Sequence, residues 1–155
     1  TYRPRTYLST GYQGTLGWGY PTALGAKCAN PDRAVVAVHG DGGFMFGVQE
    51  MATAVRHNIG VVALVFNDNA YGNVKRIQQT NYAGRTVASD LTNPDFVKLA
   101  ESFGMRSQRV TTPQALRPAL KAAIKANAPA LIEIPVGEFP DPWSFFFRKK
   151  VRGAA

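Results

Sequence analysis

Apolar and polar positions alternate along this chain in two different rhythms. Ala34–His39 is a short valine-rich run bounded by Asp32 and Gly40, the pattern of a buried strand. Val48, Met51, Ala52 and Val55 recur at helical spacing, which predicts a helix over Gly47–Asn58 with those four residues inward. Gly60 ends it, and Val61–Phe66 reads as a second buried strand. A loop is expected around Thr80–Leu91. Asn93 and Pro94 then open a helix, with Asn as N-cap, Pro in its first position and Phe96, Leu99, Ala100 and Phe103 on one face. Gly104 stops that helix, and Met105–Val110 can form a third strand. Thr112 and Pro113 open another helix, with Leu116, Ala119, Leu120, Ala123 and Ile124 inward, before a fourth strand over Ala130–Ile134. An earlier helix is expected over Pro21–Ala29. Apolar strands alternating with helices predict an α/β fold with a doubly wound parallel sheet. Pro135, Pro140 and Pro142 exclude regular structure from residues 135–155, so this stretch reads as an irregular tail. Its apolar patch, Trp143 with Phe145, Phe146 and Phe147, reads as packing on this domain or docking on another domain or subunit.

Composition adjusts this picture only slightly. A chain of 155 residues fits one compact domain. The single cysteine, Cys28, excludes an internal disulfide, suits a reducing and hence cytoplasmic setting, and reads as a small buried hydrophobe. No apolar run approaches the ~20 residues that span a bilayer, so no membrane association is expected. Thr1-Tyr2-Arg3-Pro4-Arg5 has no apolar signal core after it, and without an initiator Met the chain reads as an excised piece of a longer one. The net charge of +8 raises the question of nucleic acid. The basic residues are scattered, however, and the dense cluster at Arg148–Arg152 reads as a solvated end, so no nucleic-acid partner is expected.

Candidate chemistry gathers after the first two strands. In open parallel sheets, ligands bind beyond the carboxyl ends of the strands. Asp41 follows the first strand, and Asn67, Asp68 and Asn69 follow the second. A right-handed crossover puts both turns on one edge. Their oxygens suit a hard cation such as Mg²⁺, which takes one or two carboxylates and completes its shell with phosphate and water. Gly40, Gly42 and Gly43 leave backbone N–H groups open to an anion, and the N-terminus of the following helix adds its dipole. A Gly-Asp-Gly triplet alone is usually a turn. The two clusters together describe a diphosphate site. His39 reads as a packed strand residue, His57 as a surface cap, and Glu50 as structural. A nucleotide-binding Rossmann reading is weaker, because Met45 stands where Gly-x-Gly-x-x-Gly needs its third glycine.

Gly40-Asp41-Gly42, followed by a helix, a strand and Asn67-Asp68, resembles the thiamine-diphosphate (ThDP) motif that begins Gly-Asp-Gly and ends Asn-Asn. The stretch Gly14-Thr15-Leu16-Gly17-Trp18-Gly19-Tyr20-Pro21 also resembles the segment before that motif in acetolactate synthase-like enzymes. The resemblance runs from about Tyr7 to Trp143 and implies a single pyrophosphate-type ThDP-binding domain over 1–155. It implies Asp41 and Asp68 as side-chain ligands of Mg²⁺ and the Ala70 carbonyl as a third. Asp68 stands where the family usually has Asn. Gly40, Gly42, Gly43, Asn67, Tyr71 and Gly72 would line the diphosphate. Gly14 would offer its carbonyl to the aminopyrimidine, and Leu16 would support the bent cofactor.

The resemblance also bears on the reaction. Val74 and Ile77 would border a substrate pocket. Val74 replaces the Glu of simple pyruvate decarboxylases, and Ile77 replaces a Trp common in true acetolactate synthases. The implied reaction is 2-oxoacid decarboxylation or carboligation. The activating Glu of this family comes from a pyrimidine-binding domain that nothing here matches, so that domain is expected elsewhere in the same protein or on a partner subunit, in a homo- or hetero-oligomer. The competing reading is a non-catalytic cofactor-binding or assembly subunit.

Overall fold

The computed structural model describes residues 2–137. The expectations for Pro140, Pro142, the Trp143–Phe147 patch and the Arg148–Arg152 cluster lie outside the described residues.

The fold is α/β, with four parallel strands in the order β1-β2-β4-β3. They are β1 (Val35–Gly40), β2 (Val61–Asn67), β3 (Arg106–Arg109) and β4 (Ala130–Pro135). One face carries α1 (Gly19–Ala29), α2 (Asp41–Met45), α3 (Glu50–Arg56) and α5 (Phe96–Ser102). Tyr20, Phe44, Met51 and Phe96 from these helices meet Ala63, Val65 and Leu131 of the sheet. The other face carries α6 (Pro113–Ala126), where Leu116 and Ala119 meet Val62, Leu64 and Ile132. Alternate residues of β2 therefore serve two different cores, which is why its apolar run is unbroken. The crossover from β1 to β2 uses the first face, and the return from β3 to β4 uses the second. Right-handed connections require this reversal of face when direction reverses.

Several expectations shift. The chain after Gly40 turns at once into the one-turn α2, so the helix expected over Gly47–Asn58 is regular only from Glu50. Its buried residues are Met51 and Ala54, and Ala52 faces solvent. β1 is an edge strand among those described, and α6 does not reach across it, so Val38 is 66% exposed. Ile124 is likewise at the surface, and Cys28 is exposed, not buried. Pro135 belongs to β4, the Val136 N–H donates to Asn67 O, and the tail begins later than expected. An unexpected helix, α4 (Gly72–Asn81), precedes the predicted loop, overlaps it only at Thr80 and Asn81, and buries none of its residues. With only Val74 and Ile77 apolar among its ten residues, its stripe is too short to mark a helix.

The helix predicted to begin at Asn93 begins at Phe96. The Asp95 side chain accepts from Val97 N at 3.0 Å and Lys98 N at 3.2 Å. An ionised carboxylate answers the helix dipole as well as the free N–H groups, and it displaces Asn93 from that role. His57 is the exposed C-cap of α3, as expected.

Leu131 is fully buried between the sheet and the α1/α3/α5 layer. Leu131→Ala is expected to lower unfolding free energy by ~2–5 kcal/mol through lost burial and a residual cavity. Urea unfolding measures it, and a loss below about 1 kcal/mol would contradict this core assignment.

Candidate functional site

Parallel register brings the carboxyl ends of β1 and β2 side by side, with Gly40 opposite Phe66. Asp41 follows directly at the start of α2 and is 1% exposed. Asp68, half-buried, follows β2. Burial first, and the negative charge of Asp41 second, push the Asp68 carboxyl above its ordinary range. Two carboxylates in one partly dry crevice repel, and a cation between them would reverse the effect. Among the described residues, no group of three or more acidic, His or Cys side chains exists to complete a shell. A cation held here would need amide and carbonyl oxygens as well.

They are present. Asn67 ends β2 and Asn69 sits in a left-handed turn. Ala70 N donates to Asp68 Oδ1 at 3.2 Å. Tyr71 N donates to Ser89 O at 2.8 Å and Leu91 N to Asn69 O at 2.8 Å. This short antiparallel pairing runs through residues 69 and 71 and leaves the Ala70 carbonyl outside it.

Glycines at the site are not equivalent. A Cβ on Gly42 would stand 2.5 Å from Tyr71 Cε1, and one on Gly72 would stand 2.5 Å from Asp68 Oδ2. These two absences of a side chain let the turns close on each other. Gly40 has nothing within 4 Å. The upstream segment docks here as well: Gly17 N donates to Gly43 O at 3.1 Å, and Leu16 lies beside Gly43. Gly14 is exposed with φ 57°. The structure therefore gathers Asp41, Gly42, Gly43, Asn67, Asp68, Ala70, Tyr71, Gly72 and Leu16. The dipole expected from a long following helix is supplied by one turn only.

Val74 and Ile77 lie apart, on the outer side of α4. They line a groove of about 510 Å³ with Gln78, Tyr82, Arg85 and Val87. His39 packs in an aromatic cluster with Tyr20 and Phe44, and burial lowers its pKa to about 4. It is a neutral packed residue at ordinary pH, and its reading as a strand histidine holds.

Asn93 was not anticipated at this site. Its Nδ2 donates to Asp41 Oδ2 at 2.6 Å, Asn67 Oδ1 at 3.0 Å and Asn69 Oδ1 at 3.4 Å. One polar hydrogen-bearing nitrogen thus sits among three oxygens from different turns. The residue was legible only as a cap, because it is distant in sequence from the others. The preceding pairing of residues 69–71 with 89–91 carries it in.

The family model for the C-terminal TPP-binding domain of thiamine pyrophosphate enzymes matches residues 1–134. The chain is 41% identical over 137 residues to the probable acetolactate synthase large subunit of Methanococcus aeolicus, covering 88% of this chain and 23% of that protein. It is also 41% identical over 136 residues to the acetolactate synthase of Bacillus subtilis, covering 88% and 24%. Among solved structures it resembles the thiamine diphosphate-dependent 4-hydroxybenzoylformate decarboxylase of Rhodococcus jostii. The TM-score there is 0.77 at 36% identity, over 83% of this chain and 24% of that one. The chain spans about a quarter of the length of these relatives.

Gly42→Ala is expected to cost ~1–3 kcal/mol of stability, because a Cβ there must displace the Tyr71 ring. Gly40→Ala, with open space and φ −78°, should change stability little. Equal unfolding midpoints for the two variants would show that the turns do not close as described.

Proposed function

The chain belongs to the thiamine pyrophosphate enzymes as their C-terminal cofactor-binding domain, of the acetolactate synthase-like group, and from that premise we propose that it holds the diphosphate end of ThDP through Mg²⁺. The observation that carries this reading is the opposed pair Asp41 and Asp68, with the Ala70 carbonyl left outside the local backbone pairing. Two carboxylates and one carbonyl suit a cation that fills its remaining positions with phosphate oxygens and water. Gly40, Gly42, Gly43, Asn67, Tyr71 and Gly72 line the diphosphate. Gly14 and Leu16 serve the aminopyrimidine and the cofactor's bend.

When bound, ThDP supplies carbanion chemistry at a carbonyl carbon. This chain's residues anchor and orient the cofactor. The substrate is a small 2-oxoacid, and the reaction is its decarboxylation with or without ligation to an acceptor. Val74 and Ile77, on the α4 groove, form one wall of the substrate pocket. Ile77, in place of a bulkier Trp, leaves that wall wide. The activating Glu comes from a pyrimidine-binding domain elsewhere in the same protein or on a partner chain, in an oligomer. No helix among the described residues is long and apolar enough to cross a membrane, and a lone exposed Cys28 suits the reducing cytoplasm.

Calorimetric titration of the 155-residue chain with ThDP should give binding only when Mg²⁺ is present. Asp41→Ala should abolish it, and no turnover of 2-oxoacids should follow without the pyrimidine-binding domain. Metal-independent binding, or binding untouched by Asp41→Ala, would refute the site. Asp68→Asn removes one negative charge while keeping an oxygen ligand. It is expected to weaken Mg²⁺ affinity roughly tenfold, or ~1.4 kcal/mol, while leaving ThDP binding intact at saturating Mg²⁺. An unchanged Mg²⁺ titration would show that the extra charge plays no part.

A further inference from the structure

A hydrogen-bonded chain leads from the third strand into the crevice. Glu133, on β4, is 3% exposed, a carboxylate among apolar strand residues. Its Oε2 accepts from Arg109 Nε at 2.8 Å, and Arg109 Nη2 also meets Asp95 Oδ1 at 3.1 Å. Its Oε1 accepts from Asn67 Nδ2 at 2.9 Å. Sheet register places these groups: Arg109 is opposite Glu133, Glu133 is opposite Val65, and Asn67 projects two residues further along β2 on the same side.

We propose that Glu133 is a positioning residue that fixes which way the Asn67 amide faces, and through it the Asn93 amide that holds Asp41. The proposal rests on the reading of the Asp41–Asp68 crevice as the Mg²⁺–diphosphate site.

A carboxamide has nearly the same shape in either orientation but opposite polarity at its two ends. An ionised carboxylate only accepts hydrogen bonds, so Glu133 selects the Nδ2 end of Asn67. Asn67 Oδ1 then points into the crevice, where it accepts from Asn69 N at 3.2 Å and from Asn93 Nδ2 at 3.0 Å. The same selection follows at Asn93, whose Nδ2 reaches Asp41 Oδ2 at 2.6 Å. Reversing Asn67 would set its N–H₂ against two other donors. Arg109 closes the outer end of the chain with a charge-assisted bond to the other oxygen of Glu133. A carboxylate kept only to balance Arg109 would not need its second oxygen on Asn67. The chain therefore converts a buried charge on β4 into a fixed pattern of acceptors around the proposed cation.

The test uses isosteric exchange in the whole chain, with two readouts. Side-chain amide NMR spectra, recorded without ligand, should show that Glu133→Gln shifts the Asn67 and Asn93 N–H₂ signals and leaves that of Asn127 in place. Calorimetry with Mg²⁺ and ThDP should show binding weakened about tenfold in Glu133→Gln and in Asn67→Asp, as expected for a buried donor or acceptor left mismatched. The double variant Glu133→Gln/Asn67→Asp puts a donor on β4 and acceptors at both ends of residue 67. It should recover affinity to within about threefold of the unaltered chain, roughly 0.7 kcal/mol. If Glu133→Gln does not fold, Asn67→Asp and the double variant carry the comparison. Unmoved Asn67 and Asn93 signals, or a double variant as weak as either single one, would overturn the proposal. An unaltered chain that fails to bind Mg²⁺ and ThDP would instead overturn the functional reading, and the ligand-free spectra separate the two cases.

Discussion

Two like charges held in a partly dry crevice set the terms for everything around them. Asp41 and Asp68 leave adjacent strands on the same edge of the sheet, and neither turn can withdraw without breaking the register that places it. Burial first, and their repulsion second, raise the Asp68 carboxyl above its ordinary range. The surrounding residues answer it with polar hydrogens, chiefly the Asn93 amide, and with an open approach for a cation. The bare backbone at Gly42 and Gly72 serves the same arrangement, since a side chain at either would collide with the opposite turn. A cation bound between the two carboxylates would stabilise the folded chain, because it would bind the folded arrangement and not the scattered ligands.

The sheet can hold such a pair because its two faces are anchored independently. The layer of α1, α3 and α5 buries one set of alternate residues, and α6 buries the other. β2 is fixed from both faces and paired on both edges, with β1 and β4. Glu133 and Asn67 exploit that constraint: they lie on neighbouring strands, on the same side, two residues apart in register. α4, by contrast, buries nothing of its own. Its Val74 and Ile77 face a groove, where substitution costs the core least.

Much of this was legible from local pattern. β1, β2 and β4 carry runs of valine, leucine and isoleucine, α6 has a threonine cap and an inward stripe, and the paired turns hold acids and glycines in a spacing that fits one crossover. Where local reading failed, a competing interaction had decided the outcome. Asp95 took the cap that Asn93 was expected to fill, because a carboxylate interacts better with a helix start and also finds Arg109. Ala54, not Ala52, joins Met51 on the inward face, because it lies three residues on from Met51 and beside Val55. Cys28 is exposed although its residue type favours burial, since α1 directs its packed side toward Tyr20, Ala23, Leu24 and Lys27.

The sequence by itself determined the alternation of strands and helices, the family motif, and the chemical types that stand at the crevice: two carboxylates, several amides and bare glycines. These follow from periodicity and from residue chemistry, which act within a few positions of the chain. Only the tertiary structure decided that Asn93 and Glu133 belong to the same crevice, and which way the amide between them faces. Those residues are brought together by strand register and by the pairing of residues 69–71 with 89–91. Hydrogen-bond polarity is a property of neighbours in space, so no reading of neighbours in sequence could have fixed it.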